Sequence, residues 1–198
     1  MKTVKLLLLV PAIVLMSFNY AGLTDSEREF AVKHLKETKK DLLGKVKGLS
    51  DAQLNFKATE ESWSIAECVE HITKSENMIW GMVEGPQKGE PTKAENGMTD
   101  EALVGMITSR EQKIKTQEMF KPTGAYASTK DAMKEFGTKR DEHIKYVQST
   151  SADLRSYFND MPFGKMDAYQ AIIFMSGHTK RHTAQIEEVM ANAKFPKK

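Results

Sequence analysis

Two of the five histidines in this chain stand four residues apart, in His178-Thr179-Lys180-Arg181-His182. Side chains four apart share one face of a helix, so both imidazoles can reach a single ion. The run around them reads as helix over about residues 167–193. At about 100° per residue, His178 and His182 share their face with Ala171, Phe174, Met175, Gln185, Ile186 and Val189. That is the apolar side of the helix, where an unpaired polar group is costly. The pair therefore needs partners, either a metal ion or hydrogen-bonding groups of the core, and the spacing alone does not choose. Arg181 points about 60° away from His178. It can hold an anionic substrate group or form a salt bridge with a helix carboxylate. Gln185 lies one turn after His182 and can orient a ligand, meet a metal-bound water or close a core hydrogen bond.

The elements that position these residues are helical. Thr24-Asp25-Ser26-Glu27 has capping-box form and opens a helix to about residue 47, with Ala31, Leu35, Leu42 and Val46 on one side and Gly48 as its stop. Ser64-Ile65-Ala66-Glu67 is a second capping box. It starts a helix to about residue 84, buried through Ile65, Cys68, Ile72, Ile79 and Val83. A loop rich in Gly, Pro and Lys follows over residues 85–97. Thr99 or Asp100 caps a third segment expected to reach about residue 120, where Pro122 and Gly124 break it. Ser128 opens a fourth helix to about residue 149, carrying Met133, Phe136, Ile144 and Val147. A long loop with Met161-Pro162-Phe163-Gly164 leads to Asp167, the cap of the last helix. No strand-type alternation of useful length is present, so the pattern predicts an all-α bundle of four main helices and one extra, with sites built between facing helices. The loops are long enough for a crossover.

Composition removes several classes of function. The chain has 198 residues, 40% hydrophobic and 28% charged, which suits one domain with a real core. With 29 basic and 27 acidic residues the net charge is +2, and no basic footprint for nucleic acid is present. The single cysteine, Cys68, rules out an intramolecular disulfide and a Cys-based zinc site and reads as a small buried hydrophobe. There is no Ser-His-Asp order, no Gly-rich phosphate loop and no paired-carboxylate signature.

The N-terminus reads as a separate unit. Lys2 and Lys5 precede an apolar run over residues 6–18, interrupted only by Pro11 and Ser17. A positive start and a short apolar run form a secretory signal peptide. The run is short for a membrane span, and no cysteine follows to carry a lipid anchor. Residues 1–22 are expected to be removed, leaving 23–198 as an exported, periplasmic or secreted domain without a stable membrane span.

A third histidine is singled out by its surroundings. His71 lies at the margin of the second helix's apolar face, as His34 and His143 do on theirs, so periodicity does not separate them. The segment Glu61-Ser62-Trp63-Ser64-Ile65-Ala66-Glu67-Cys68-Val69-Glu70-His71-Ile72 resembles the W-S-(I/P)-x-E-x-x-x-H-(I/L) motif of the DinB/YfiT-like superfamily. Leu49-Ser50-Asp51-Ala52-Gln53-Leu54 resembles the loop that leads into it. The closing His178 to Ile186 segment is similar to that family's H-x-x-R-H-x-x-Q-I helix, and the resemblance spans about residues 25–193. It implies a four-helix bundle of up-down-down-up topology and a divalent metal held by His71, His178 and His182. Zinc, nickel and iron all suit three imidazoles, and open positions remain for water or substrate. Trp63 and Glu67 are expected to act at the helix start, Trp63 by packing and Glu67 through the capping box.

The resemblance implies a metal-dependent hydrolase, a thiol transferase or a non-catalytic metal-binding protein linked to stress. Reduced thiols are plentiful in the cytosol and scarce outside it, so export favours a hydrolase acting on a small molecule through activated water. Nucleic acid is not an expected partner; a second copy of the chain, giving a homodimer, is left open. Mass spectrometry of the protein from its native envelope or medium should find a chain that begins near Leu23. An intact Met1 in a cytosolic fraction would remove the argument against thiol transfer.

Overall fold

The computed structural model describes residues 22–92, 94–111 and 116–197. The apolar run expected to direct export lies outside the described residues. Helix α1 spans Asp25–Val46, α2 Asp51–Leu54, α3 Ile65–Glu84, α4 Asp100–Thr108, α5 Thr129–Ser149 and α6 Ala168–Met190. Strands β1, Phe158–Met161, and β2, Gly164–Asp167, form a hairpin before α6.

Local chemistry sets most helix starts. Thr24, Ser50 and Ser64 each accept the third helical N–H, and Glu27, Gln53 and Glu67 reach back to the cap backbone. Such caps are each worth about 0.5–2 kcal/mol. Ser128 and Asp167 accept the third helical N–H of α5 and α6, without the reciprocal bond. Gly48, at φ +77°, takes the left-handed turn beyond α1.

Three sequence expectations are corrected. The segment after Asp100 is helical only to Thr108, because Ser109 turns to an extended conformation and the polar stretch beyond it offers no apolar stripe to bury. Residues 112–115 are outside the described residues, and a short 3-10 turn, Glu118–Phe120, precedes Pro122. The stretch before α3 carries a capped helical turn, α2, rather than loop alone. The long loop before α6 contains the β1–β2 hairpin, whose four-residue strands are too short to show a clear alternation. Gly164 turns it at φ +111°, and its Cα lies 2.8 Å from a Cβ built on Gly97, so neither position has room for a side chain.

The four long helices form the bundle, and polar contacts fix their directions. The Arg28 guanidinium at the start of α1 donates to the Val147 and Thr150 carbonyls at the end of α5, and Lys39 pairs with Asp141, so these helices are antiparallel. The Tyr169 hydroxyl donates to the Glu27 carbonyl, Ser176 bonds His34 and Lys45 pairs with Glu187, so α6 runs parallel to α1. Thr73 donates to the Ala132 carbonyl and Asn77 to Glu135, with Tyr146 near Gln87, which makes α3 and α5 parallel. Ile65 at the start of α3 shares one apolar cluster with Val189 at the end of α6, and Val83 at the end of α3 shares the other with Ala168 at the start of α6, so these helices are antiparallel. The result is up-down-down-up. Parallel neighbours need a crossover, and the chain through α4 provides it between α3 and α5.

The core is split in two. One apolar cluster contains Leu35, Ile79, Ile144 and Ile172, and the other contains Leu42, Ile72, Phe136 and Ile186. Between them lies a polar layer with one residue or more from every long helix: Thr38, Glu76, Arg140, His143 and Thr179, all buried. Arg140, wholly buried, donates to both Glu76 oxygens at 2.7 and 2.6 Å, to Thr38 Oγ1 and Thr179 Oγ1 at 2.8 Å and to the Leu35 carbonyl at 3.2 Å. His143 Nδ1 donates to the same Glu76 carboxylate at 2.9 Å.

Arg140→Leu should therefore destabilise the protein by about 3–5 kcal/mol, because Glu76 is left as a buried, poorly compensated charge. Urea unfolding measures this. The double variant Arg140→Leu/Glu76→Gln should recover part of the loss, since that uncompensated charge is gone.

Candidate metal centre

His71 lies nearly two turns into α3, on the side that faces α6, and is 3% exposed. Antiparallel packing brings it opposite the middle of α6, at the polar layer that divides the core. His71 Nε2 stands 3.1 Å from His178 Nε2 and 3.1 Å from His182 Nε2. One nitrogen from each ring lies within 4.8 Å of the others, and this is the only such group of His, Cys, Asp and Glu among the described residues.

Hydrogen bonds on the far side of two rings decide what the near side offers. His71 Nδ1 lies 2.8 Å from the Phe120 carbonyl, which can only accept. His182 Nδ1 lies 2.9 Å from Gln185 Oε1. Burial pushes the pKa of all three imidazoles down. His178 falls well below the ordinary value, and His182 drops to about 3, helped by the neighbouring rings. Neutral rings that donate through Nδ1 present bare lone pairs at Nε2. His71 and His182 therefore cannot hydrogen-bond each other across their 3.1 Å gap. Converging lone pairs repel unless a cation lies among them. The donor set fits a metal bound through nitrogen, with outer partners orienting the rings.

The other singled-out residues fall into place around this cluster. Gln185 orients His182 through its Oε1. Arg181 is buried, and its pKa is lowered by burial and then by Arg110, with Glu188 opposing, so it sits in a charge cluster at the margin of the site. Arg110 itself is bidentate to Glu188 at 2.9 and 2.7 Å. Glu67 closes the α3 capping box, accepting from Ser64 N at 2.7 Å, and pairs with Lys57. Cys68 is buried and its thiol is pushed up to about 12 by desolvation, which makes it inert. Trp63 does more than pack at the helix start. Its ring lies 4.9 Å from His71 and 6.1 Å from His182 between centroids, so it walls the cluster. Phe174 stacks on His178 at 6.4 Å, and Phe163 from the hairpin turn stacks on Phe174 at 6.4 Å.

The remaining histidines are separated from the site by their partners. His34 stacks on Phe30 and bonds Ser176. His143 serves Glu76 and stacks on Trp80 at 3.9 Å. Sequence reading missed Glu70, Glu76 and Arg140. Charged residues within amphipathic helices look like solvated positions, and only their placement against partners far along the chain shows otherwise. Arg140 did carry a faint signal, since it continues the 3–4 spacing of Ala132, Phe136 and Ile144 on the buried face of α5.

A three-histidine cluster in an up-down-down-up bundle defines a class of helical protein with a candidate metal centre. The DinB superfamily matches residues 34–186, a span that contains all three histidines, and the chain belongs to that superfamily. It is similar to the uncharacterized protein YuaE of Bacillus subtilis (strain 168), 26% identical over 154 residues that cover 77% of this chain and 93% of that protein. In structure it is similar to YfiT from Bacillus subtilis, with a TM-score of 0.59 over 85% of this chain and 89% of that one. YfiT is described as a probable metal-dependent hydrolase with an unusual four-helix bundle topology; at 13% identity the likeness concerns the fold.

The lowered histidine values give a pH dependence. The unfolded chain takes up protons near 6.5, whereas folded His182 resists them to about 3. The unfolded state thus binds more protons in this window, and the metal-free protein should lose stability as pH falls from 7 towards 5. Urea midpoints at the two values test this, and His182→Ala should flatten the dependence.

Proposed function

We propose that this protein is an exported metal-dependent hydrolase that holds a divalent cation on His71, His178 and His182. The observation that carries the reading is the convergence of three Nε2 atoms, two of them on rings fixed from behind, His71 by Phe120 and His182 by Gln185. Zinc, nickel and iron suit this donor set. A divalent ion bound there supplies a Lewis acid and a water activated for attack near neutral pH. Trp63, Phe174 and Phe163 provide an apolar wall beside it, suited to the non-polar part of a small ester or amide. Buried Arg181, at the margin, adds positive potential for an anionic group. Export is supported by the charged and apolar pattern of the N-terminal sequence, Lys2 and Lys5 before the apolar run over residues 6–18. Water is available in that compartment, whereas reduced thiols are scarce.

A second reading is a metal carrier or sensor without catalysis. It is favoured by the absence, among the described residues, of a carboxylate within the histidine cluster that could serve as a general base. One experiment separates the two. Protein purified without a His tag is stripped with a chelator, and thermal unfolding is followed beside turnover of an ester and amide panel. For a hydrolase, turnover should vanish with only a small fall in melting temperature, because both apolar clusters persist without the ion. His178→Ala should lose metal and turnover together while keeping its helical content. No turnover with or without metal would overturn the hydrolase reading.

A further inference from the structure

Glu70 is the residue next to His71 and is 7% exposed, an unusual place for a carboxylate. It does not face the histidine cluster. Its Oε1 accepts from the backbone N–H of Thr123 at 2.7 Å and of Ala125 at 3.2 Å, and from Thr123 Oγ1 at 3.3 Å. Its Oε2 accepts from the N–H of Gly124 at 3.0 Å. Gly124, at φ +71°, adopts the left-handed conformation of this turn. One turn further along α3, Lys74 Nζ donates to the Lys121 carbonyl at 3.0 Å. The two side chains thus grip the segment 121–125 from the α3 side. The residue directly before that segment is Phe120, whose carbonyl accepts from His71 Nδ1 at 2.8 Å.

We propose that Glu70 is a positioning residue for the metal centre: through residues 121–125 it holds the Phe120 carbonyl against His71 Nδ1 and so fixes the nitrogen that His71 presents. The inference rests on the reading of the three histidines as a metal centre. The geometry gives a reason for the arrangement. Phe120 ends a three-residue 3-10 turn whose own backbone hydrogen bonds use the Gln117 and Glu118 carbonyls and so do not hold the Phe120 carbonyl. His71 needs a fixed acceptor, since an imidazole free to exchange tautomers presents Nε2 as a donor for part of the time. Three N–H groups on one carboxylate supply the anchor, and the adjacency of Glu70 and His71 makes ligand and anchor move as one piece of α3. Outer partners of this kind are worth about 10–100-fold in metal affinity.

The test uses the full chain without a His tag, stripped of metal and titrated with cobalt in competition with a chromophoric chelator. Glu70→Ala should weaken cobalt binding about 10–100-fold and change the visible spectrum of the bound ion. In nitrogen NMR of the metal-free protein, the hydrogen-bonded His71 ring N–H seen in the wild type should be lost. Glu70→Gln keeps an acceptor for Thr123 and Ala125 but sets an amide against Gly124, and should fall between; it also decides the matter if Glu70→Ala does not fold. A clamp serving stability alone would lower the melting temperature yet leave cobalt affinity within about twofold and the ring N–H in place, which would overturn the proposal. If the wild type itself takes up no cobalt, the metal-centre reading fails instead. The ring N–H comparison still reports whether Glu70 orients His71.

Discussion

The Arg140 guanidinium is wholly buried in the centre of the bundle, and a buried charge is tolerated only when it is paired and its donors are satisfied. Its partners come from the three other long helices: Glu76 on α3, Thr38 and the Leu35 carbonyl on α1, and Thr179 on α6. Apolar side chains can slide along one another at little cost, but a forked set of hydrogen bonds cannot. The node therefore sets the longitudinal register of the helices. Glu76 lies just over one turn beyond His71, and Thr179 follows His178 directly. The contacts that compensate the charge thus also bring the histidines to the same level.

A similar arrangement closes the end of the bundle where α1, α4 and α6 begin. Arg155 donates to Glu27, Asp100 and Asp167, which lie in the first turn of α1, in the first turn of α4 and at the cap of α6. Its guanidinium also lies 4.1 Å from the Tyr169 ring centre. Acidic groups at helix starts already answer the positive end of each helix. Gathering three of them on one arginine ties the helix starts together and holds the hairpin and Asn96 beside them. The end of α6 that leads to the histidines is thereby anchored, and Phe163 is held within stacking distance of Phe174.

The candidate centre occupies the polar layer instead of adding a separate defect to the core. Its nitrogen atoms lie where the packing of α3 on α6 is already interrupted by polar groups, and the aromatic rings of Trp63 and Phe174 shield it at the sides. The apolar clusters lie on either side of the layer. None of the three histidines belongs to either apolar cluster, so the core is built without them.

Caps and periodicity were legible in the sequence because they are local. Thr24, Ser64 and Asp167 announce their helices through residues three positions away, and the buried faces of α1, α3, α5 and α6 follow from the 3.6-residue repeat. His178 and His182 were legible for the same reason, one helical turn apart on an apolar face. His71 came from a motif resemblance, since its own position at a face margin looked no different from those of His34 and His143. The short hairpin, the early end of α4, the paired interior roles of Glu76 and Arg140 and the anchoring of the Phe120 loop by Glu70 were not legible. The hairpin strands pair within nine residues but are too short to show an alternation, and α4 ends where a polar stretch offers nothing to bury. The roles of Glu76, Arg140 and Glu70 depend on partners more than fifty residues away, and a charged side chain on an amphipathic helix declares no partner by itself. The sequence alone determined the helices and which of their faces turn inward. The tertiary structure decided which polar groups meet there, because burial makes every unpaired charge costly and leaves few arrangements in which all are satisfied.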